Sequence, residues 1–225
     1  MENTKVLNEL EKIASKVNLE YVPELAGLIN ELKAEIYSES NGKINKSLLQ
    51  RTKAALKFLK NAGNKGRDIF KYCDYQNIAG TDYQVFTDSY TLFMLVDKME
   101  LPYYKDNMPN ASYPNVRNLY SASYYDTDIT ESIDIKDIMA KLKAKMLPID
   151  NKIAKYVNEN VNANGKTVAI AFNANYLKTI VDILGTSELK VYYRDNTIGY
   201  SPLLFVDENT ENKALLVPMR LPEAQ

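Results

Sequence analysis

The sequence predicts an α+β protein in which an N-terminal helical hairpin precedes a domain built from β-α-β-β-β halves. Three observations lead there. Residues 4–37 repeat apolar side chains at helical spacing, residues 68–99 form short runs rich in Tyr, Phe, Val and Ile, and residues 167–219 read as strand, helix and three strands.

The hairpin comes first. Val6, Leu7, Leu10, Ile13, Ala14 and Val17 share one helical stripe, and Leu25, Leu28, Ile29, Leu32 and Ile36 share another after Pro23, a favourable helix start. The turn-forming run Ser38 to Gly42 then divides the chain into residues 1–42 and 43–225. A third helix is expected from Ser47 to Asn61, with Leu48, Thr52, Ala55, Leu56 and Leu59 on one face and Lys46, Lys53, Lys57 and Lys60 on another. Between Lys43 and Arg67 there are eight basic residues and no acid, against a net charge of −1 for the whole chain. That contrast makes the helix a candidate surface for a polyanion.

Strands are expected at 68–76, 82–88 and 90–99, with a turn near Gly80. Residues 103–131, dense in tyrosine, asparagine and proline, read as a long irregular connection with room for one strand. A helix is expected at Lys136 to Leu147, and a short helix or a strand at Ile153 to Val161. In the last section an apolar strand at 167–172 leads to Asn173, whose side-chain oxygen can cap a helix running to Leu184, with Gly185 at its C-terminal turn. Strands follow at 189–194, 201–206 and 213–219, with turns at Asp195-Asn196 and Asp207 to Asn212. Residues 43–99 give a looser copy of the same order.

Composition excludes several chemistries. The chain of 225 residues has no histidine and a single cysteine, so Ser-His-Asp triads, Cys-His pairs, His-ligated metals, an intramolecular disulfide and a four-cysteine zinc site are ruled out. Cys73 reads as a small buried hydrophobe. No run approaches the roughly 20 apolar residues needed to span a bilayer, and the N-terminus lacks an apolar signal core, so a cytoplasmic protein without membrane contact is expected. The carboxylates Asp126, Asp128, Glu131 and Asp134 offer an alternative reading as a Mg²⁺ site for phosphoryl transfer, although they lack the glycine and ligand spacing of a cation loop.

Three spaced motifs near the C-terminus carry a resemblance. Phe172-Asn173 with Tyr176, Ser201-Pro202-Leu203, and Val217-Pro218-Met219-Arg220-Leu221 resemble, in order, the last half-domain of the bacterial DNA polymerase III β subunit, the DNA sliding clamp. Two upstream segments, 85–95 (VFTDSYTLFML) and 113–119 (YPNVRNL), are similar to that family's Ala-Thr-Asp-Gly-His-Arg-Leu strand and to its connector.

The resemblance implies a non-enzymatic processivity factor without a cofactor or metal. Its hydrophobic groove would take linear peptides of the polymerase or clamp-loader type. Mapped onto this sequence, the implied groove residues are Thr87, Ser89, Tyr90, Thr91, Leu92, Pro114, Asn118, Leu119, Asn173, Tyr176, Leu203, Val217, Pro218, Met219, Arg220 and Leu221. Lys46, Arg51, Lys53, Lys57 and Lys60 would contact the DNA backbone without sequence preference. The family's Gly, His and Arg are replaced at Ser89, Tyr90 and Thr91, which implies a different peptide preference.

The chain is short for a three-domain clamp subunit. Either head-to-tail homo-oligomers rebuild the groove between the 85–95 strand of one copy and the C-terminal strand of the next, or the protein is a non-ring interaction module. A third possibility places the partner site on the N-terminal hairpin.

Overall fold

The computed structural model describes residues 46–64, 67–194 and 201–220, with Val6 beyond them. The expected hairpin apart from Val6, the boundary at 38–42, the turn at Asp195-Asn196 and Leu221 lie outside the described residues.

Helix α1 spans Lys46–Gly63. Its inward stripe is Arg51, Ala55, Leu59 and Ala62, spaced i, i+4, i+8, i+11, joined by Thr52, Leu56 and Phe58, and all are buried. Lys53, Lys57 and Lys60 are exposed on the opposite side. A single 3₁₀ turn, Asp68–Lys71, stands where the first strand was expected to begin, and strand β1 starts later, at Asp74–Ile78.

Strands β2 (Thr81–Thr87) and β3 (Thr91–Leu95) complete the first group. Ala79 and Gly80 both take positive φ (53° and 90°), so a two-residue turn closes the β1–β2 hairpin where Gly80 predicted one. The connection at 103–126 holds a four-residue helix α2 (Tyr104–Asn107) and 3₁₀ turns at Val116–Asn118 and Ala122–Tyr124. Strand β4 is Thr127–Asp128, and helix α3 is Ile135–Lys143, shorter than expected because Lys145 turns left-handed (φ 56°) before Pro148.

Strand β5 (Ile149–Asp150) and the long strands β6 (Ile153–Ala163) and β7 (Lys166–Asn173) form a three-stranded sheet, which settles residues 153–161 as strand. Helix α4 is Ala174–Leu184. Asn173 caps it by accepting a hydrogen bond from the Asn175 N–H at 3.0 Å, and Gly185 ends it at φ 82°. Strands β8 (Lys190–Tyr193), β9 (Leu203–Val206) and β10 (Lys213–Leu216) finish the second group.

The large sheet runs β1-β2-β3-β10-β9-β8-β4, antiparallel throughout. Read from its centre, each half is a helix followed by three strands, and the two third strands pair with each other. Antiparallel pairing of equivalent strands is what a twofold relation between halves requires.

Both helices cover one face. Phe58, Leu59, Leu177 and Ile180 pack there against Phe86, Phe93, Leu203, Phe205, Ala214 and Leu216. Phe86 and Phe93, cross-strand partners, stack at 4.9 Å, and Phe58 meets Phe93 edge-on at 5.1 Å. Successive residues point to the opposite face, where Val85, Leu92, Met94, Leu204 and Leu215 are covered by Tyr104, Tyr113, Val116, Tyr120 and Tyr125 of the long connection. Tyr104, Tyr113, Tyr120 and Tyr125 therefore belong to a second core.

Two polar links fix this arrangement. Arg51 forks onto both oxygens of Asp97 just past β3, and its Nε–H donates to the Ile183 carbonyl at 2.7 Å, capping the C-terminal end of α4. A Cβ on Gly185 would lie 2.7 Å from Arg51 Cδ, so the close approach and the positive φ both require glycine there. On the other face, Gln76 of β1 donates to the Pro114 carbonyl at 2.8 Å and accepts from the Val116 N–H at 2.8 Å, holding the connection like an added strand.

Arg51→Ala leaves Asp97 and the α4 carboxyl end without their partner and is expected to cost about 2–3 kcal/mol, the lower end of the range because Asp97 keeps some water. Lys57→Ala, two turns along on the exposed face, should change urea midpoints negligibly. Gln76→Ala is expected to cost about 1–2 kcal/mol and to speed hydrogen exchange at the Val116 amide.

Candidate functional site

A groove of about 300 Å³ opens where β3 and β10 meet, on the tyrosine-covered side. One wall is the β2–β3 turn with Thr87, Ser89, Tyr90, Thr91 and Leu92. The other is Leu215 and Val217 with Pro202, and Phe70, Pro114 and Leu119 close the end beside Arg67. Exposed apolar groups line its mouth. Tyr90 and Leu119 are each 54% exposed and Val217 is 42% exposed, an arrangement that offers an apolar ligand surface to bury.

Local chemistry holds the first wall in place. Asp88 Oδ1 accepts hydrogen bonds from the Tyr90 and Thr91 N–H groups at 3.0 and 2.8 Å, and Thr87 Oγ1 donates to the Thr91 carbonyl at 2.8 Å. The two-residue turn Ser89-Tyr90 starts with Ser89 at φ 76°, a left-handed position where glycine is cheaper. This is the position at which the resembled family carries Gly. Tyr90 stacks on Tyr176 of α4 at 6.0 Å, so the start of α4 supports the groove through that ring. The second wall ends with the Val217 N–H donating to the Tyr90 carbonyl at 2.9 Å, which ties the two walls across the gap.

Of the expected groove residues, Thr87, Ser89, Tyr90, Thr91, Leu92, Pro114, Leu119 and Val217 line this groove together. Others do not. Leu203 is fully buried on the helical side, because alternation along β9 turns it away, and its neighbour Pro202 takes the groove position. Asn173 is committed to capping α4, and Asn118 is exposed one residue before the wall residue Leu119. Beyond Val217 the chain turns onto β7, where the Met219 N–H donates to the Ala171 carbonyl at 2.7 Å, so Pro218, Met219 and Arg220 follow that strand instead of lining the groove. Arg67, Phe70 and Leu215 were not foreseen. Phe70 was read as a strand residue, and only the turn at 68–71 brings it under the groove.

The expectation that subunits rebuild the groove between chains is corrected. β10 pairs with β3 of the same chain, Leu215 opposite Leu92 and Leu216 opposite Thr91, so both walls belong to one molecule.

Of the expected basic residues, the structure gives the exposure only. Lys53, Lys57 and Lys60 are exposed on one stripe of α1, while the Lys46 side chain lies outside those described. Arg51 is a correction: it is buried among the core residues and spent on Asp97 and Ile183, so it does not face a ligand. The i, i+4, i+8 spacing with Ala55 and Leu59 already marked it as inward. On α4, Lys178 pairs with Asp182.

The acidic run has structural partners. Asp134 caps α3 by accepting from the Asp137 N–H at 2.9 Å, and Asp128 accepts from the Thr130 N–H at 2.8 Å. Burial raises the Asp128 carboxyl, but the Thr130 hydrogen bonds and nearby Lys190 outweigh it and hold it below the usual value. Among the described residues, no three His, Cys, Asp or Glu side chains gather closely enough to hold a metal ion. Cys73 is fully buried, and burial pushes its thiol up to about 12, so it has no thiolate to offer near neutrality.

No protein-family model and no curated protein matches the sequence. Solved structures do match. The DNA polymerase sliding clamp from Bacillus subtilis superposes with a TM-score of 0.53 at 15% identity, covering 78% of this chain and 62% of that one. The DNA polymerase III β chain from Streptococcus pneumoniae TIGR4 gives a TM-score of 0.34 at 15% identity over 62% of this chain and 42% of that one. The chain thus spans less than two thirds of the Bacillus subtilis clamp's length. With its two helix-and-three-strand groups joined through β3 and β10, the chain has an α+β fold like that of a bacterial sliding clamp, in shortened form.

Proposed function

We propose that the protein is a non-enzymatic, clamp-like DNA-replication factor. Its groove binds linear peptides of the polymerase or clamp-loader type, and α1 contacts the DNA backbone without sequence preference. The observation that carries this reading is the groove itself: two walls from segments far apart in sequence, both resembling the clamp family's, meet at the β3–β10 junction with Tyr90, Leu119 and Val217 at its mouth. Aliphatic and aromatic lining with few polar groups suits a short peptide carrying leucine or phenylalanine anchors. The exposed Lys53, Lys57 and Lys60 supply the charge for sliding contact.

A single chain supplies the complete groove, so peptide binding needs no oligomer under this reading. A non-ring interaction module is the second reading, and the same observation favours it. No helix among the described residues is long and apolar enough to cross a membrane, and the protein is placed with DNA in the cytoplasm as part of the proposal.

Calorimetric titration with a Gln-Leu-x-Leu-Phe peptide tests the groove. Tyr90→Ala and Val217→Asp should each weaken binding by about tenfold, as loss of an anchor contact does. A wild-type protein that ignores the peptide, or variants that bind as well as it does, would reject the groove. Ser89→Gly relieves the left-handed serine and keeps both walls, so it should gain about 0.5–1 kcal/mol in thermal unfolding and retain binding. Lys53, Lys57 and Lys60 changed together to Gln should flatten the dependence of DNA affinity on salt by about two to three in the log–log slope.

A further inference from the structure

Between α3 and β6 the chain forms a spur with unusual chemistry. Residues 143–155 carry four lysines and one acid. At its tip Met146 is 71% and Ile149 69% exposed, the largest exposures among the described large apolar residues. Lys136 pairs with Glu188 and Lys141 with Asp137, but Lys143, Lys145 and Lys152 have no carboxylate partner among the described residues.

The backbone favours other residues at two of these lysines. The end of α3 is a Schellman turn, with the Met146 N–H donating to the Lys141 carbonyl at 2.9 Å and the Lys145 N–H to Leu142 at 3.1 Å. That turn places Lys145 at φ 56°, a position usually held by glycine, and Met146 projects into solvent instead of folding back on the helix. The β5–β6 hairpin repeats the pattern. Asp150 pairs with Ile153, and the two-residue loop has Asn151 at φ 47° and Lys152 at φ 68°. Asn-Gly is the preferred pair for such a loop, so a lysine again occupies the glycine position. Each left-handed lysine is less favourable than glycine would be, and both positions place a cation beside an exposed apolar tip.

The spur also has a place in the layer. α3 packs on α4, which packs on α1, so the spur grows from a helix that shares one hydrophobic layer with the lysine-bearing α1.

We infer that the α3–β5 spur is a second nucleic-acid contact, in which Lys143, Lys145 and Lys152 engage phosphates while Met146 and Ile149 lie against bases or sugars. The inference rests on the DNA-binding part of the function proposed above. Charge complementarity selects a polyanion, and the common helical layer with α1 selects nucleic acid over other polyanions. Apolar Met and Ile side chains are the kind that wedge at base steps when lysines hold the backbone.

Anisotropy titrations of the full chain with a short labelled duplex and the matching single strand, at several salt concentrations, test it. Changing Lys143, Lys145 and Lys152 together to Gln should lower the log–log salt slope by about two to three. Met146→Ser with Ile149→Ser should weaken binding several-fold with the slope unchanged. Lys145→Gly with Lys152→Gly should raise the thermal midpoint and still weaken binding, whereas a merely solvated turn would show the rise alone. Lys166→Gln, at an exposed turn elsewhere, serves as the control.

If the α1 variant loses affinity and the spur variants do not, the spur inference falls and the parent reading stands. A wild type that binds neither oligonucleotide removes both. Two further results would also overturn the spur: tip-dependent partitioning onto phosphatidylglycerol vesicles with DNA binding untouched, or a wild-type dimer that the Met146/Ile149 variant converts to monomer.

Discussion

The antiparallel pairing of β3 with β10 is the contact on which the rest of this structure depends. It joins the two helix-and-strand groups into one sheet through strands far apart in sequence, and it sets Leu92 opposite Leu215. Because side chains alternate across a strand, this register decides both faces at once. Phe93, Ala214 and Leu216 go to the helices, while Leu92, Met94 and Leu215 go to the tyrosine-rich connection. A slip of one residue would exchange these sets and leave the groove without a floor. Arg51 guards the same junction from the helical side, since Asp97 follows β3 directly and Ile183 ends the helix of the other half. Asn212 guards it at the strand ends, accepting from the Val96 N–H at 2.8 Å.

Much of this was legible in sequence because it is local. The α1 stripe, the Asn173 cap, the Gly185 terminator and the Asp207–Asn212 turn each follow from side-chain chemistry within a few residues, and the structure has all four, except that Leu48, expected on the stripe, is exposed before the helix turns inward at Arg51 and Thr52. What was not legible is long-range. Nothing near residues 85–95 states that their partner is the chain's own last strand, and so a groove rebuilt between subunits stood as one of two alternatives. Leu203 was misplaced by one residue of alternation, and the strand expected from residue 68 begins only at Asp74 because a 3₁₀ turn aims Phe70 inward. The tyrosines of 103–125 looked like an irregular loop because they have no period. Tyr104, Tyr113, Tyr120 and Tyr125 are buried with the connection held by Gln76 and by the Tyr113 hydroxyl, which donates to the Tyr72 carbonyl at 3.1 Å.

The positive-φ residues sort by what surrounds them. Gly80 and Gly185 occupy their left-handed positions at little cost, and Asn151 and Asn164 are the next most tolerant kind. Ala79, Ser89, Lys145, Lys152 and Glu211 are less tolerant; Ser89 sits at the groove and the two lysines on the spur, while Ala79 and Glu211 lie in the β1–β2 and β9–β10 turns. Against the about 5–15 kcal/mol by which folded domains are typically stable, about 1 kcal/mol at each is a material cost. Those costs fall on turns, and the strands of the large sheet hold no such residue among those described.

A complete groove in one chain separates two properties that a ring combines. A closed ring keeps its DNA by topology, so its cationic lining needs only weak contacts. A chain that engages a peptide without closing must hold DNA by affinity, and that affinity has to come from released counterions. Under the proposed reading, the three exposed lysines of α1 would give a salt-sensitive attachment of modest strength. The three spur lysines would double the number of phosphates neutralised without adding length to the fold, while Lys178 of α4 is offset by Asp182. An open clamp that holds DNA by affinity would need both groups, and a closed one would not.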